Sequence, residues 1–165
     1  MKLKPQTQVG EWEYIASTDP AVAWPEKSAE EKPEDWEKRK AAFVELLRRA
    51  RETGDYGPVL REGRTPAVWR FQHLRSRQRA WFRDQLRSGK GTHELALDAV
   101  SLALVGVTGK AGPDGQPIDI KRAAEPELRG WVAVVEDQRA WLELDPDTMV
   151  NLGNHVVETL LPQNG

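Results

Sequence analysis

Residues 94–107 read Glu-Leu-Ala-Leu-Asp-Ala-Val-Ser-Leu-Ala-Leu-Val-Gly-Val. Between Leu95 and Val107 only Asp98 and Ser101 are polar, and they stand three apart, one narrow stripe on an otherwise apolar cylinder. A helix that is apolar almost all round is stable only inside a core. The spacing therefore predicts a central buried helix over Glu94–Val105, with Leu97, Val100 and Leu104 turned away from water. The run is too short and too polar to cross a bilayer, which takes about 20 apolar residues. Gly89 and Gly91 break the chain before it, and the turn-rich stretch 109–117 follows it.

Working outward, Ser76 reads as the cap of a helix over Arg77–Arg87. Upstream, the strand-like runs within 58–73 flank Glu62-Gly63 and suggest a hairpin. From Pro33 to Thr53, Phe43 lies seven residues from Trp36 and three, four and seven from Leu46, Leu47 and Ala50. That is one face of a helix, with Pro33 in its first turn and Gly54 just past its end. Glu11–Ile15 is rich in strand formers. Three prolines (Pro20, Pro25 and Pro33) keep residues 17–33 out of any single regular element. Downstream, Pro117–Ile120 suits an edge strand. Residues 131–136 read equally as strand or helix and run into a helical stretch to Leu142. Asp145-Pro146 opens a last helix that reaches Leu161. The expected fold is α+β: three to five helices around the central one, and a small antiparallel sheet from residues 11–15 and 58–73. Residues 1–32 form an extended arm, and 33–165 a single globular domain.

The chain has no cysteine, so disulfides, thiolate nucleophiles and cysteine-bound zinc are excluded. Its N-terminal lysines precede no apolar run, unlike a signal peptide. His73, His93 and His155 have no metal-ligand spacing and read as surface or boundary residues. Residues 145–156 begin like a calcium loop, but the required glycine is absent and Val156 stands where a bidentate glutamate belongs. Gly109-Lys110 lacks the rest of a phosphate loop, since Leu104 replaces its first glycine and Ala111 cannot ligate magnesium. The expectation is a protein that is not an enzyme and has no catalytic, cofactor or metal residues.

Charge is the stronger signal. The net charge is −2, yet residues 61–90 carry 9 basic and 2 acidic side chains, and 91–165 carry 5 and 12. Arg75, Arg79, Arg83 and Arg87 recur every fourth position, with Arg77 and Lys90 nearby. Successive members rotate by about 40°, giving one slanting basic ridge. Like charges so placed cost an isolated helix roughly 1 kcal/mol in total. An acidic surface should offset this: Glu30–Glu37, Glu136–Asp147, or a partner. Seven tryptophans are many for 165 residues. Trp12, Trp24 and Trp36, in or beside the arm, either fasten it to the core or anchor a partner, for which large aromatics are suited. The candidate partner-binding residues are thus Trp12, Trp24, Trp36, Arg75, Arg79, Arg83 and Arg87.

The order of elements is the strand Ala67-Val-Trp-Arg-Phe71, a turn at Leu74, a charged helix, the apolar helix Glu94–Gly109, and a turn at Asp114-Gly115. The closing stretch is Leu144-Asp-Pro-Asp-Thr-Met-Val-Asn-Leu-Gly-Asn-His-Val-Val-Glu-Thr-Leu160. Over about residues 66–161 this resembles the tail assembly chaperones and related tail-region proteins of tailed bacteriophages. The resemblance implies a morphogenesis or virion protein acting through protein–protein contacts, with other phage structural or assembly proteins, or its own copies, as partners. The host cytoplasm during assembly, or the virion, would be its location, with no membrane involved. The alternative is a nucleic-acid-binding module that uses the Arg75–Arg87 ridge.

Overall fold

The computed structural model describes residues 1–5 and 10–159. Within them the chain forms five strands and five helices: β1 (Glu11–Tyr14), α1 (Pro33–Thr53), β2 (Val68–Gln72), α2 (Ser76–Arg87), α3 (Thr92–Ala103), β3 (Leu104–Thr108), β4 (Arg122–Ala124), β5 (Val132–Val134), α4 (Glu136–Leu142) and α5 (Pro146–Glu158). The fold is α+β, as the patterning predicts. The last helix ends at Glu158 with Thr159 as its C-cap, and Leu160 and Leu161, to which the pattern extends it, lie outside the described residues.

A three-stranded antiparallel sheet has the order β1-β2-β3. Trp12 faces Phe71 and Tyr14 faces Trp69 across the first ladder, and Leu104 and Val107 continue that face on β3. All six are buried against α3 and α5. The opposite face carries Glu11, Glu13, Arg70 and Gln72, with Arg70 Nε 3.1 Å from Glu11 Oε2. This is the alternation of an antiparallel sheet covered on one side. In α3, Ala96, Ala99, Val100, Leu102 and Ala103 are buried, whereas Leu97 is only partly so. α3 and α5 touch closely where Gly153 meets Ala96: a Cβ on Gly153 would lie 2.4 Å from both Ala96 Cα and Cβ.

A second, smaller core gathers where β1 ends and β2 begins. Ile15, Val22, Tyr56, Val59 and Val68 meet Phe43, Leu47 and Ala50 of α1 there. Gly54 ends α1 with φ 81°, and its missing Cβ leaves room for Leu3, whose N–H donates to the Gly54 carbonyl at 2.6 Å. Leu46, assigned to the inner face of α1 by spacing, is 42% exposed.

Four expectations are corrected, and the open reading of residues 131–136 is decided. The central helix stops at Ala103, and Leu104 and Val105 begin β3. The run Val105-Gly-Val-Thr108 is β-branched except for one glycine, and β2 offers an unpaired edge that continued helix would waste. Residues 58–73 form no hairpin: β2 pairs with β1 and β3, and Leu60 bridges Val22 instead. Pro117 makes only an isolated bridge to Ala111, and the extra strand pair is β4 with β5. Residues 132–134 are strand, and helix starts at Glu136. Finally, Ser76 does not cap α2; Gln78 Oε1 accepts from the Arg75 backbone N–H at 2.9 Å, and Ser76 lies in the first turn.

Candidate functional site

The expected arm is in good part an internal element. Trp12 is 1% exposed, and its Nε1 donates to His155 Nε2 at 3.0 Å. Trp24 donates from Nε1 to the Ser17 carbonyl at 2.6 Å and lays its ring against Phe43. Asp19 accepts from the Ala67 backbone at 2.9 Å, and Asn151 accepts from the Ser17 N–H at 3.0 Å. Residues 10–24 are thus bound into the domain, and the first two tryptophans are engaged by their own chain. Trp36 stands apart, half-buried on α1 beneath Arg39 and Lys40.

His155 corrects the reading of a surface histidine. It is buried, its ring stacks on Tyr14 at 3.8 Å, and burial, then the nearby Arg51 charge, push its pKa down to about 3. Because Nε2 accepts from Trp12, the proton of this neutral imidazole sits on Nδ1. Burial also raises the Tyr14 hydroxyl, which accepts from Arg51 Nη2 at 2.9 Å and donates to Asn151 Oδ1 at 3.1 Å. This network joins α1, β1 and α5. His73 and His93 are exposed, the latter 3.6 Å from Glu143.

α2 is seated by Phe82, which is fully buried, and by Gln78. Its two flanks differ. On one, Arg75, Arg79, Arg83 and Arg87 are all exposed, and Leu86 emerges beside them at 38% exposure. Arg79 Nε donates to the Leu74 carbonyl at 3.1 Å. Within the acidic stretches 30–37 and 136–147, Glu31 binds Arg39, Glu37 binds Lys40, and Glu143 faces His93. On the other flank, Arg77, Trp81 and Asp84 line a cleft of about 480 Å³ with Arg129 and Trp131 from the turn before β5. The two indoles meet edge to face at 5.7 Å. A second cleft, about 270 Å³, lies across Trp131 and is lined by Gln72, His73, Arg75, Gln78, Arg122 and Val132.

Not every cation here is available. Arg122 Nη1 donates to the carbonyls of Ser101 and Leu104 at 3.3 and 2.6 Å, and Nη2 to those of Leu102 and Val132 at 2.8 and 2.9 Å. It closes the C-terminal end of α3, where orphan carbonyls and the helix dipole favour a cation. Burial holds its pKa below the usual arginine value.

At the corner between α4 and α5, Trp69, Trp141, Leu142, Met149 and Leu152 line an apolar slot of about 140 Å³. Lys110, Leu144, Asp145 and Thr148 complete its lining. Leu144 is 79% exposed and flanked in sequence by the exposed acids Glu143, Asp145 and Asp147. Asp145 also caps α5, accepting from the Thr148 N–H at 3.2 Å.

The structure therefore brings the four ridge arginines together and separates them from the three tryptophans. Spacing does not disclose Arg129, Trp131, Arg122 or the slot, because each acquires its neighbours through tertiary contacts. Among the described residues no group of three or more His, Asp or Glu is placed to hold a metal, and no helix is long and apolar enough to cross a membrane. Comparison with protein-family models, with curated proteins and with solved structures returns no match.

Proposed function

We propose that this protein is a non-catalytic assembly factor of a tailed bacteriophage, working through protein–protein contacts made by the basic ridge of α2. The observation that carries the reading is the exposure of Arg75, Arg79, Arg83 and Arg87 along one flank, with Leu86 beside them. Same-sign charges at helical spacing disfavour the free helix. An acidic surface docked on the ridge reverses that, and Leu86 adds a small apolar contact. The phage setting rests on the resemblance over residues 66–161. The exposed corner formed by Glu143, Leu144, Asp145 and Asp147 has the complementary character, so other copies of the chain belong with phage tail proteins among the partners. Charge complementarity of this kind governs orientation and encounter rate more than final affinity.

The test is the double variant Arg79→Glu/Arg83→Glu. Co-expressed with the proteins encoded beside it, the variant should remain folded and lose co-purification, most severely at low salt, where screening is weakest. Undiminished co-purification at low salt would overturn the assignment of the ridge.

A further inference from the structure

The opposite flank of α2 carries three features that converge on one cleft. Trp81 and Trp131 are large apolar side chains left half-exposed, although the main core lies beside them. Each indole has a cation over its ring: Lys90 Nζ is 5.7 Å from the Trp81 centroid, and Arg129 Cζ is 5.5 Å from that of Trp131. Arg129 itself sits at φ 59°, the only non-glycine with positive φ among the described residues. That conformation ends a turn in which the Gly130 N–H donates to Glu125 at 2.8 Å and the Trp131 N–H to Leu128 at 3.0 Å. Glycine would serve there without strain. An arginine kept in such a conformation, over a partly buried indole, points to a use for its side chain.

The chemistry of the cleft is specific. Indole faces accept planar groups by stacking, and guanidinium groups at the rim, Arg77 and Arg129, accept phosphate. Asp84 lines the same cleft and can accept N–H donors such as the exocyclic amines of bases. The same carboxylate repels a purely acidic peptide, which also has nothing to lay on the indoles. A duplex keeps its bases stacked, so only an unpaired strand can offer their faces. Across Trp131, the second cleft presents His73, Gln72, Gln78 and Arg75 to the neighbouring nucleotide.

We propose that the cleft between Trp81 and Trp131 binds single-stranded nucleic acid, with bases on the indoles and phosphates on Arg77 and Arg129. The Trp81–Trp131 cleft is on the flank away from Arg79, Arg83 and Arg87, and Arg75 alone is shared between the ridge and the second cleft. A fluorescein-labelled single-stranded DNA oligomer of mixed sequence, titrated with the purified protein across a salt series, tests it. Duplex DNA and polyglutamate serve as competitors. Binding should weaken with salt, and Trp131→Ala should lower affinity by roughly tenfold or more, the usual loss of one base–aromatic stack. Arg129→Gly relieves the turn, so the melting temperature should hold or rise while affinity falls. Its log–log salt slope should become shallower by about 0.7, the value of one phosphate contact on a single strand. Arg79→Glu/Arg83→Glu should keep a Trp131-dependent binding component. Absence of binding, equal competition by polyglutamate, or indifference to both Trp131→Ala and Arg129→Gly would overturn the proposal.

Discussion

α1 and α2 are both crowded with charge, yet they arrange it in opposite ways. α1 carries five acids and six bases over 21 residues, and its outer face closes on itself. Arg48 bridges Glu45 and Glu52, Arg49 approaches Glu45, and Lys40 meets Glu37. Arg39 reaches back to Glu31. α2 has four bases and a single acid over 12 residues, and that acid, Asp84, lies on the flank of the cleft. A helix whose charges alternate in sign is satisfied as a solvated face. α2 instead presents one sign of charge along a single exposed flank. High charge density alone therefore does not distinguish the two helices; the arrangement of sign along a flank does.

The comparison requires both helices to be seated by apolar contacts. Phe82 is fully buried in the main core, whereas Phe43 sits at the edge of a smaller one and is 8% exposed. Phe82→Ala is expected to cost about 4–5 kcal/mol and Phe43→Ala about 3, at opposite ends of the usual range for such truncations. Urea unfolding of the two variants measures this. A larger loss for Phe43→Ala would make α1, not α2, the more firmly seated helix.

α1 also has a cation turned inward. Arg51 lies over the Tyr14 ring and helps depress His155. In the unfolded chain a histidine titrates near its ordinary 6.5, while folded His155 stays neutral down to about 3. Between those values the unfolded state takes up a proton that the folded state refuses. The stability from His155 is therefore whole above about 6.5 and declines as pH falls toward 3. The slope reaches at most about 1.4 kcal/mol per pH unit. His155→Gln retains an acceptor for Trp12 and should flatten the decline. Unfolding midpoints for both proteins across that window decide it, and parallel declines would place the acid sensitivity elsewhere.

The parts of the fold that could be read in the sequence were those with a local period. Pro33–Thr53 is helical with the expected first proline and terminal glycine, the α2 stretch and the Asp145 cap are in place, and Val100 and Leu104 are buried. What escaped depends on partners distant in sequence. Leu104 and Val105 are as apolar as the helix before them, and only the edge of β2 makes them strand. Residues 58–61 have strand-like composition but meet the proline-rich loop instead of β2. The candidate surface divides in the same way. The four-residue period of the ridge is a property of the chain alone. The cleft joins Arg77 and Trp81 to Arg129 and Trp131, some fifty positions later, through a turn whose left-handed arginine no composition rule favours.

The smallest effect is the one that tests the two helices most directly. In α1, Arg48→Glu places a third carboxylate between Glu45 and Glu52, at spacings of three and four. Attraction becomes repulsion, so the melting temperature should fall at low salt and recover as salt screens the new carboxylate. In α2, Arg79→Glu places a carboxylate between Arg75 and Arg83, four residues from each. It also brings negative charge to the first turn, where the helix dipole favours it. Against this stands the loss of the Arg79 bond to the Leu74 carbonyl. The net change should be neutral or a rise of roughly 1 °C at low salt, from a few tenths of a kcal/mol per pair. The two salt dependences should thus have opposite signs, although each variant exchanges one arginine for one glutamate and changes net charge equally. If both melting temperatures fell alike at low salt, α2 would already hold its neutralising acids within the chain, and the ridge would be an ordinary solvated face like that of α1.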